Sequence, residues 1–283
     1  LPPAAEIAER PEGTYFVQDV WASFPPLPQG TVRKLRIVQV LPKTTPHINN
    51  PSVGLANASP GKQVLGTVPV EDDGSAYFRA PAGIALAFQA LDERGMAVQV
   101  MRSVSYLQPG EAASCVGCHE SRSAPPPERR AAKALLRPPS TIEPGPDGSK
   151  PLSYPILIQP VLDKHCVSCH NKEKPEGKVI LTGEPAGHYT ASYNALAPRV
   201  SYAAWGHGGN CEPLAKPDYF GARGSPALVK TFTEAHHNVK LSPAEWERVV
   251  TWMDANALFY GTFDPADQAR QLRGERIAGP KLE

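Results

Sequence analysis

The chain has 283 residues, a formal net charge of +1 and 41% hydrophobic residues. This length and apolar content suit two modest domains, and the near-neutral charge gives no case for a nucleic-acid or anionic-membrane partner. Proline, at 32 residues, occurs at about twice its usual frequency. Because proline interrupts helices and central strands, we expect many loops and short elements.

The sequence predicts an arm followed by a β domain in the first part of the chain. Residues 1–30 are proline-rich and lack periodicity, which predicts an N-terminal arm. Alternating apolar residues and turn signals then predict strands over residues 32–41, 64–70, 76–78, 84–91 and 96–104. Strands spaced by such turns predict a small antiparallel β-sandwich-like domain over residues 31–105.

The second part reads as helical and rich in loops. A short basic helix is expected over residues 128–136, between two proline-rich stretches, and another helix over residues 155–165. The last helix is the clearest, because Ser242 and Glu245 form a capping box ahead of an apolar stripe. We expect this stripe to pack against the helix over residues 155–165.

Four of the five cysteines form two copies of one pattern, Cys115-Val-Gly-Cys118-His119 and Cys166-Val-Ser-Cys169-His170. C-x-x-C-H is the signature of covalent haem attachment. The two thiols bond to the two vinyl groups of one porphyrin, and the histidine that follows becomes the proximal iron ligand. The pattern therefore predicts two covalently bound haem c groups, with His119 and His170 as proximal ligands.

Other interpretations of these cysteines are a zinc site, a redox dithiol or coincidence. A zinc site would gather both pairs into one shared cluster, and a redox dithiol would occur once and would not need the trailing histidine. Haem is attached outside the cytoplasm, so haem binding predicts a periplasmic or extracellular protein. The fifth cysteine, Cys211, is read as a small buried apolar residue, with metal ligation or an intermolecular bond as alternatives.

The distal ligands of the two irons are left open by the residues themselves. For the first haem the histidine candidates are His47, in a loop between strands, then His207, flanked by glycines, and His188. Each of them competes with the interpretation that it is an exposed side chain without a role. Met253 is an alternative for the second haem, although its place on the apolar stripe favours packing.

Several ordered segments resemble the C-terminal region of hydrazine synthase alpha-subunit-like multihaem c-type cytochromes. They are VPVEDDGSA (68–76), FQALD (88–92), MRS (101–103), PGE (109–111), HHNVKLS (236–242) and TWMDAN (251–256). The resemblance covers about residues 30–263. It implies a sandwich-like insert, a haem-binding segment and a cytochrome c domain, and it implies a distal histidine for the second haem at His236 or, second, His237. Where the hydrazine synthase subunit has a tyrosine that serves the catalytic haem, this chain has Ser123.

Together these patterns predict a mixed fold: the β-sandwich-like domain, then a mainly α, loop-rich dihaem cytochrome c region. Its parts are the first haem-binding segment and proline-rich linker (106–154), the cytochrome c domain with the second haem (155–263) and a C-terminal tail (264–283). No stretch approaches the roughly 18 apolar residues of a membrane span. The chain begins without a signal-peptide pattern, so we interpret it as a mature protein or a piece of a longer one.

The leading functional hypothesis is electron transfer between extracytoplasmic redox partners, or copies of the chain itself, along a chain or filament of haems. This hypothesis favours a carrier over an enzyme. The alternative is a dihaem enzyme, peroxidase-like or acting on nitrogen compounds, with one open catalytic haem. A third hypothesis is a binding module in which haem mainly stabilises the fold.

Overall fold

The computed structural model describes residues 11–23, 25–43, 45–47, 50–118, 131–204 and 216–278. Within them, the chain divides into two units. The first contains Leu1–Val40, Gln63–Lys150 and Pro213–Tyr219, and the second contains Leu41–Lys62, Pro151–Glu212 and Phe220–Glu283. Each unit holds the cysteines of one C-x-x-C-H motif.

Seven strands form the first unit. They are β1 (Glu12–Val17), β2 (Lys34–Val40), β3 (Lys62–Pro69), β4 (Ala76–Pro81), β5 (Leu86–Leu91), β6 (Ala97–Val100) and β7 (Ala112–Cys115). One sheet has the order β4-β1-β7 and the other has the order β3-β2-β5-β6. Strand β1 pairs antiparallel with β4 and parallel with β7, while β5 pairs antiparallel with both β2 and β6.

The two sheets of the first unit bury a common apolar core. Tyr15 of β1 and Phe78 of β4 meet Phe88 of β5 there, with ring centroids 5.0 to 5.7 Å apart. Edge-on and offset ring contacts at these distances add to the stabilisation from burial. The Tyr15 hydroxyl keeps a polar partner by donating to Ser105 Oγ at 2.9 Å.

The described residues of the second unit form six short α-helices. They are α1 (Tyr154–Leu157), α2 (Gln159–His165), α3 (Ala191–Leu196), α4 (Pro226–Thr231), α5 (Pro243–Asp254) and α6 (Pro265–Leu272). A two-stranded ribbon, β8 (Pro185–Ala186) and β9 (Tyr189–Thr190), precedes α3. The core contains Tyr154 of α1, Tyr193 of α3 and Trp252 of α5, with neighbouring ring centroids 5.1 to 6.4 Å apart.

The expected fold class, with a mainly α, loop-rich dihaem cytochrome c region, is wrong. The protein is mixed, with about 22% helix and 24% strand, several sheets and few helices. Prolines fix where the helices begin: α1, α2, α4, α5 and α6 each have one in their first turn, where its missing N–H costs no helical hydrogen bond but the helix cannot continue towards the N-terminus. Between these helices the chain forms 3₁₀ turns at Glu176–Lys178 and Ala197–Arg199 and the β8–β9 ribbon.

Sequence patterns found some elements and missed others. Strands β2 to β6 overlap the five predicted strands, whereas β1 and β7 lie in stretches predicted to be an arm and a haem-binding segment. The basic helix is represented by a 3₁₀ turn at Lys133–Leu136, and residues 128–130 lie outside the described part. Helix α6 falls in the predicted tail. None of the helices in the described residues is long and apolar enough to cross a membrane.

Candidate functional site

The second C-x-x-C-H motif begins where α2 ends. Cys166 caps the helix, and its carbonyl accepts hydrogen bonds from the backbone N–H of Cys169 at 3.1 Å and of His170 at 3.0 Å. This tight turn places both thiols and the imidazole within one turn of backbone. The His170 carbonyl accepts from the Leu181 N–H at 2.8 Å, which fixes the end of the turn.

His236 lies in the turn that follows α4. Its N–H donates to the Thr233 carbonyl at 3.0 Å, and its own carbonyl accepts from Val239 at 3.1 Å. The next two residues, His237 and Asn238, have φ values of +50° and +59°. Left-handed backbone at these positions reverses the chain, so that the His236 side chain is half-buried and His237 is exposed.

The turn brings His236 opposite His170. Their ring centroids are 6.1 Å apart, and the ring planes differ by 20°. Two imidazoles that each bind a shared metal ion at about 2.0 Å have ring centres about 6 Å apart. The spacing therefore fits a metal ion held between the two rings.

The electrostatic surroundings of His236 favour the neutral imidazole that binds metals. The pKa of His236 is lowered, first by burial and then by the charges of His237 and His170. The Nδ1 atom of His170 is buried and has no hydrogen-bond partner among the described residues. Because such a ring nitrogen is normally hydrogen-bonded or ligated, the pair has unused binding capacity.

The thiols of the second motif are Cys166, which is half-buried, and Cys169, which is exposed, and both are free thiols. Burial, followed by the nearby Cys169, raises the pKa of the Cys166 thiol to about 11. A thiol with a raised pKa is a poor nucleophile for exchange reactions. Cys166 itself is therefore a poor candidate for the attacking thiol of a redox dithiol.

The first motif has a different setting, because it continues a strand rather than a helix. Cys115 ends β7 opposite Val17 of β1, and its carbonyl accepts from the Gln18 N–H at 2.9 Å. The Val116 carbonyl accepts from the Asp19 N–H at 3.1 Å. Cys115 and Cys118 both pack against the core of the first unit, while His119 lies outside the described residues.

The three histidine candidates for the distal ligand of the first iron have different surroundings. His47 is exposed and belongs to the second unit, whereas Cys115 belongs to the first. The exposed His188 lies 3.1 Å, through Nε2, from the Ser52 carbonyl, and its ring packs against Tyr260. His207 lies outside the described residues, as does Cys211. The distal ligand of the first haem stays a prediction.

Met253, the alternative for the second haem, is fully buried in α5 beside Val249 and Val250. These three residues carry the apolar stripe that the sequence predicts. Their burial agrees with a packing role for Met253.

Sequence patterns missed one contact that bears on this site. Glu245, recognised as part of a capping box, also reaches α2, where its Oε1 accepts from Lys164 Nζ at 2.8 Å and lies 3.3 Å from His165 Nε2. The hydrogen bond from Lys164, ahead of those from Ser242 and His165, lowers the pKa of Glu245 to about 2. A pair separated by 81 positions leaves no local signal in a single sequence.

The described residues contain no group of three or more His, Cys, Asp or Glu side chains that could hold a metal ion. The His170–His236 pair contributes two imidazole side chains with ring centroids 6.1 Å apart. A porphyrin supplies the remaining four ligands of a haem iron, so two imidazoles at this spacing next to a C-x-x-C pair are a set that a covalent haem can use. The residues present therefore fit this group.

A family model and a solved structure both match this chain. The family model of the hydrazine synthase alpha subunit middle domain matches residues 30–120. The solved structure of Kuenenia stuttgartiensis hydrazine synthase matches with a TM-score of 0.67 and 20% identity, covering 96% of this chain and 44% of that chain. No curated protein matches this chain.

The protein is therefore one of mixed sheets and helices, with the fold of part of a longer chain. More particularly, it is similar to the hydrazine synthase alpha subunit over residues 30–120, and it shares the fold of the hydrazine synthase chain over nearly its whole length. It spans less than half of that chain. The narrower resemblance, to a C-terminal region of multihaem cytochromes, stays a prediction.

Proposed function

We propose that this chain is a dihaem redox module of an enzyme that converts nitrogen compounds. Haem c would be attached at Cys115 and Cys118 in the first unit and at Cys166 and Cys169 in the second. The observation that carries the proposal is the His170–His236 pair, with rings 6.1 Å apart directly after a C-x-x-C turn. The similarity to hydrazine synthase supports the enzyme class.

The second site has the features of an electron-transfer centre. A haem with two strong axial ligands exchanges single electrons, and one with an open position binds or activates small molecules. His170 and His236 occupy both sides of the space between them and would exclude small ligands. The turn of His236 and the capped helix α5 after it keep this imidazole in place.

The first site is the candidate reaction centre. Its cysteines lie at the end of β7 against a β-sheet core, unlike the helix-borne second motif. Among its predicted distal ligands, His188 already engages the Ser52 carbonyl. We propose that this iron keeps an open or weakly held position, with His119 as its proximal ligand. Ser123, in place of the family's tyrosine, predicts a reaction different from hydrazine synthesis.

A second candidate function is electron transfer alone, between extracytoplasmic redox proteins or along copies of this chain. The histidine pair favours it for the second site, and a strong distal ligand at the first site, such as His47 or His207, would extend it to both. Either function places the protein in the periplasm or outside the cell, because haem is attached there.

The test is an optical spectrum of the holoprotein in the oxidised form, the reduced form and the reduced form with carbon monoxide. We expect two haems per chain, one that ignores carbon monoxide and one that binds it. The variants Cys115→Ala/Cys118→Ala and Cys166→Ala/Cys169→Ala should each retain one haem, and the carbon monoxide response should disappear with the first pair. Two unresponsive haems would support electron transfer alone, and a chain with no covalent haem would refute both functions.

A further inference from the structure

We propose that Glu245 is a positioning residue that holds the proximal and distal histidines of the second site at their mutual spacing. This inference rests on the proposed function of that site. The residue itself touches neither imidazole. Its role is to tie together the two chain segments from which they come.

The carboxylate of Glu245 bonds to both segments at once. Oε1 accepts from Lys164 Nζ at 2.8 Å and lies 3.3 Å from His165 Nε2, at the end of α2. Oε2 accepts from the Ser242 backbone N–H at 2.8 Å, at the start of α5. Cys166 follows His165 directly, and Ser242 stands six positions after His236, so one side chain links both ligand-bearing turns.

The strength of this link follows from its charge and burial. The Glu245 side chain is 10% exposed, and hydrogen bonds to an ionised carboxylate are about twice as strong as neutral ones. Lys164 is 62% exposed and can turn to water when Glu245 is removed. His165 is only 16% exposed, so its ring nitrogen would lose its partner in a mostly buried place and the end of α2 would move to restore one. At this position the movement would separate α2 from the turn of His236.

A purely structural role for Glu245, as the capping residue of α5, makes a different prediction. The cap needs only Ser242 and Glu245, because the Ser242 Oγ accepts from the Glu245 N–H at 3.3 Å and Oε2 completes the box. The bonds through Oε1 to Lys164 and His165 are not part of it. Substitutions can therefore remove the cap and the link separately.

Four variants separate these roles. Glu245→Ala removes the cap and the link, while Glu245→Gln keeps the cap, since Gln serves at this position, but loses the charge that holds Lys164. Ser242→Ala weakens the cap and keeps the link. Glu247→Gln is the matched control, because Glu247 lies on the same helix without an ion-pair partner in the described part of the chain.

The measurement is the fraction of the second haem of the ferrous holoprotein that binds carbon monoxide at one fixed high concentration, together with the ferric spin state. Haem is first counted in each protein, because a wild-type chain without haem at Cys166 and Cys169 would refute the proposed function and this inference with it. In the wild type we expect almost none of the second haem to bind carbon monoxide, and in Glu245→Ala about tenfold more of it, because His236 leaves the iron more readily. Glu245→Gln should lie between this variant and the wild type.

The two control variants, Ser242→Ala and Glu247→Gln, complete the test. Ser242→Ala should lower the melting temperature without changing carbon monoxide binding, and Glu247→Gln should change neither. Wild-type binding and spin state in Glu245→Gln, measured well below its melting temperature, would overturn the inference. So would equal effects of Ser242→Ala and Glu245→Ala on carbon monoxide binding. If Glu245→Ala does not fold, Glu245→Gln decides the question.

Discussion

Replacing Tyr193 with Phe is expected to lower the free energy of unfolding of the second unit by about 2 kcal/mol. The Tyr193 hydroxyl donates to the Ala257 carbonyl at 2.6 Å and accepts from the Leu55 N–H at 2.8 Å. Leu55 is 41% exposed, so water can replace the bond to its N–H, but Ala257 is 1% exposed. The cost therefore comes mainly from leaving a buried carbonyl without a donor, since Phe preserves the ring packing against Phe259.

Thermal and urea unfolding followed by far-ultraviolet circular dichroism measure this loss. At roughly 2–4 °C per kcal/mol for a chain of this size, the melting temperature should fall by about 4–8 °C. Tyr106→Phe is the control, because Tyr106 is 62% exposed and its substitution should change stability by less than about 0.5 kcal/mol. If Tyr193→Phe is as stable as the wild type, the hydroxyl does not join these segments as described.

Three further predictions test the two motifs. His236→Ala should convert the second haem to a high-spin form that binds carbon monoxide, whereas His237→Ala should leave the spectrum unchanged; equal spectra for the two variants would contradict the pairing. Because Lys164 and the other donors lower the pKa of Glu245 from 4.5 to about 2, this carboxylate stabilises the fold above pH 4.5 by about 3 kcal/mol and loses that contribution as the pH falls towards 2, with about 2 kcal/mol of it lost between pH 6 and pH 3. Urea unfolding at pH 6 and pH 3 should show the wild type losing this much more stability than Glu245→Gln, and equal losses would refute the assignment. Gly117→Ala would place a methyl group against the Ala22 carbonyl oxygen, so the haem count should fall from two to one, and an unchanged count would show that the first motif tolerates the change.

The sheet with strand order β4-β1-β7 shows why local sequence patterns do not predict sheet topology. Strands β2 to β6 follow one another with turns between them, so alternation and turn residues were enough to predict them. Strand β7 is four residues long, and it is stabilised by parallel pairing with β1, almost a hundred positions earlier. Nothing within Ala112–Cys115 itself distinguishes this segment from a loop.

The helices of the second unit show the same difference between local features, which the sequence predicts, and long-range features, which it does not. The capping box of α5 was predictable because its two members are three residues apart and interact through the backbone of one turn. The expectation of a mainly α region failed because proline can begin a helix but prevents its extension towards the N-terminus, and only the packed structure decides what fills the gaps between helices. The link from Glu245 to α2 likewise depends on how two helices pack.

The sequence by itself determined what is local: two C-x-x-C-H motifs, each complete within five consecutive residues, and the start of α5. The choice between His236 and His237 is different, because adjacent histidines carry the same chemistry. Only the tertiary structure directs one ring towards His170 and the other towards solvent, through left-handed backbone at His237 and Asn238. The identity of a residue determines which ligand atoms it can offer. Where those atoms lie depends on contacts between segments far apart in the chain.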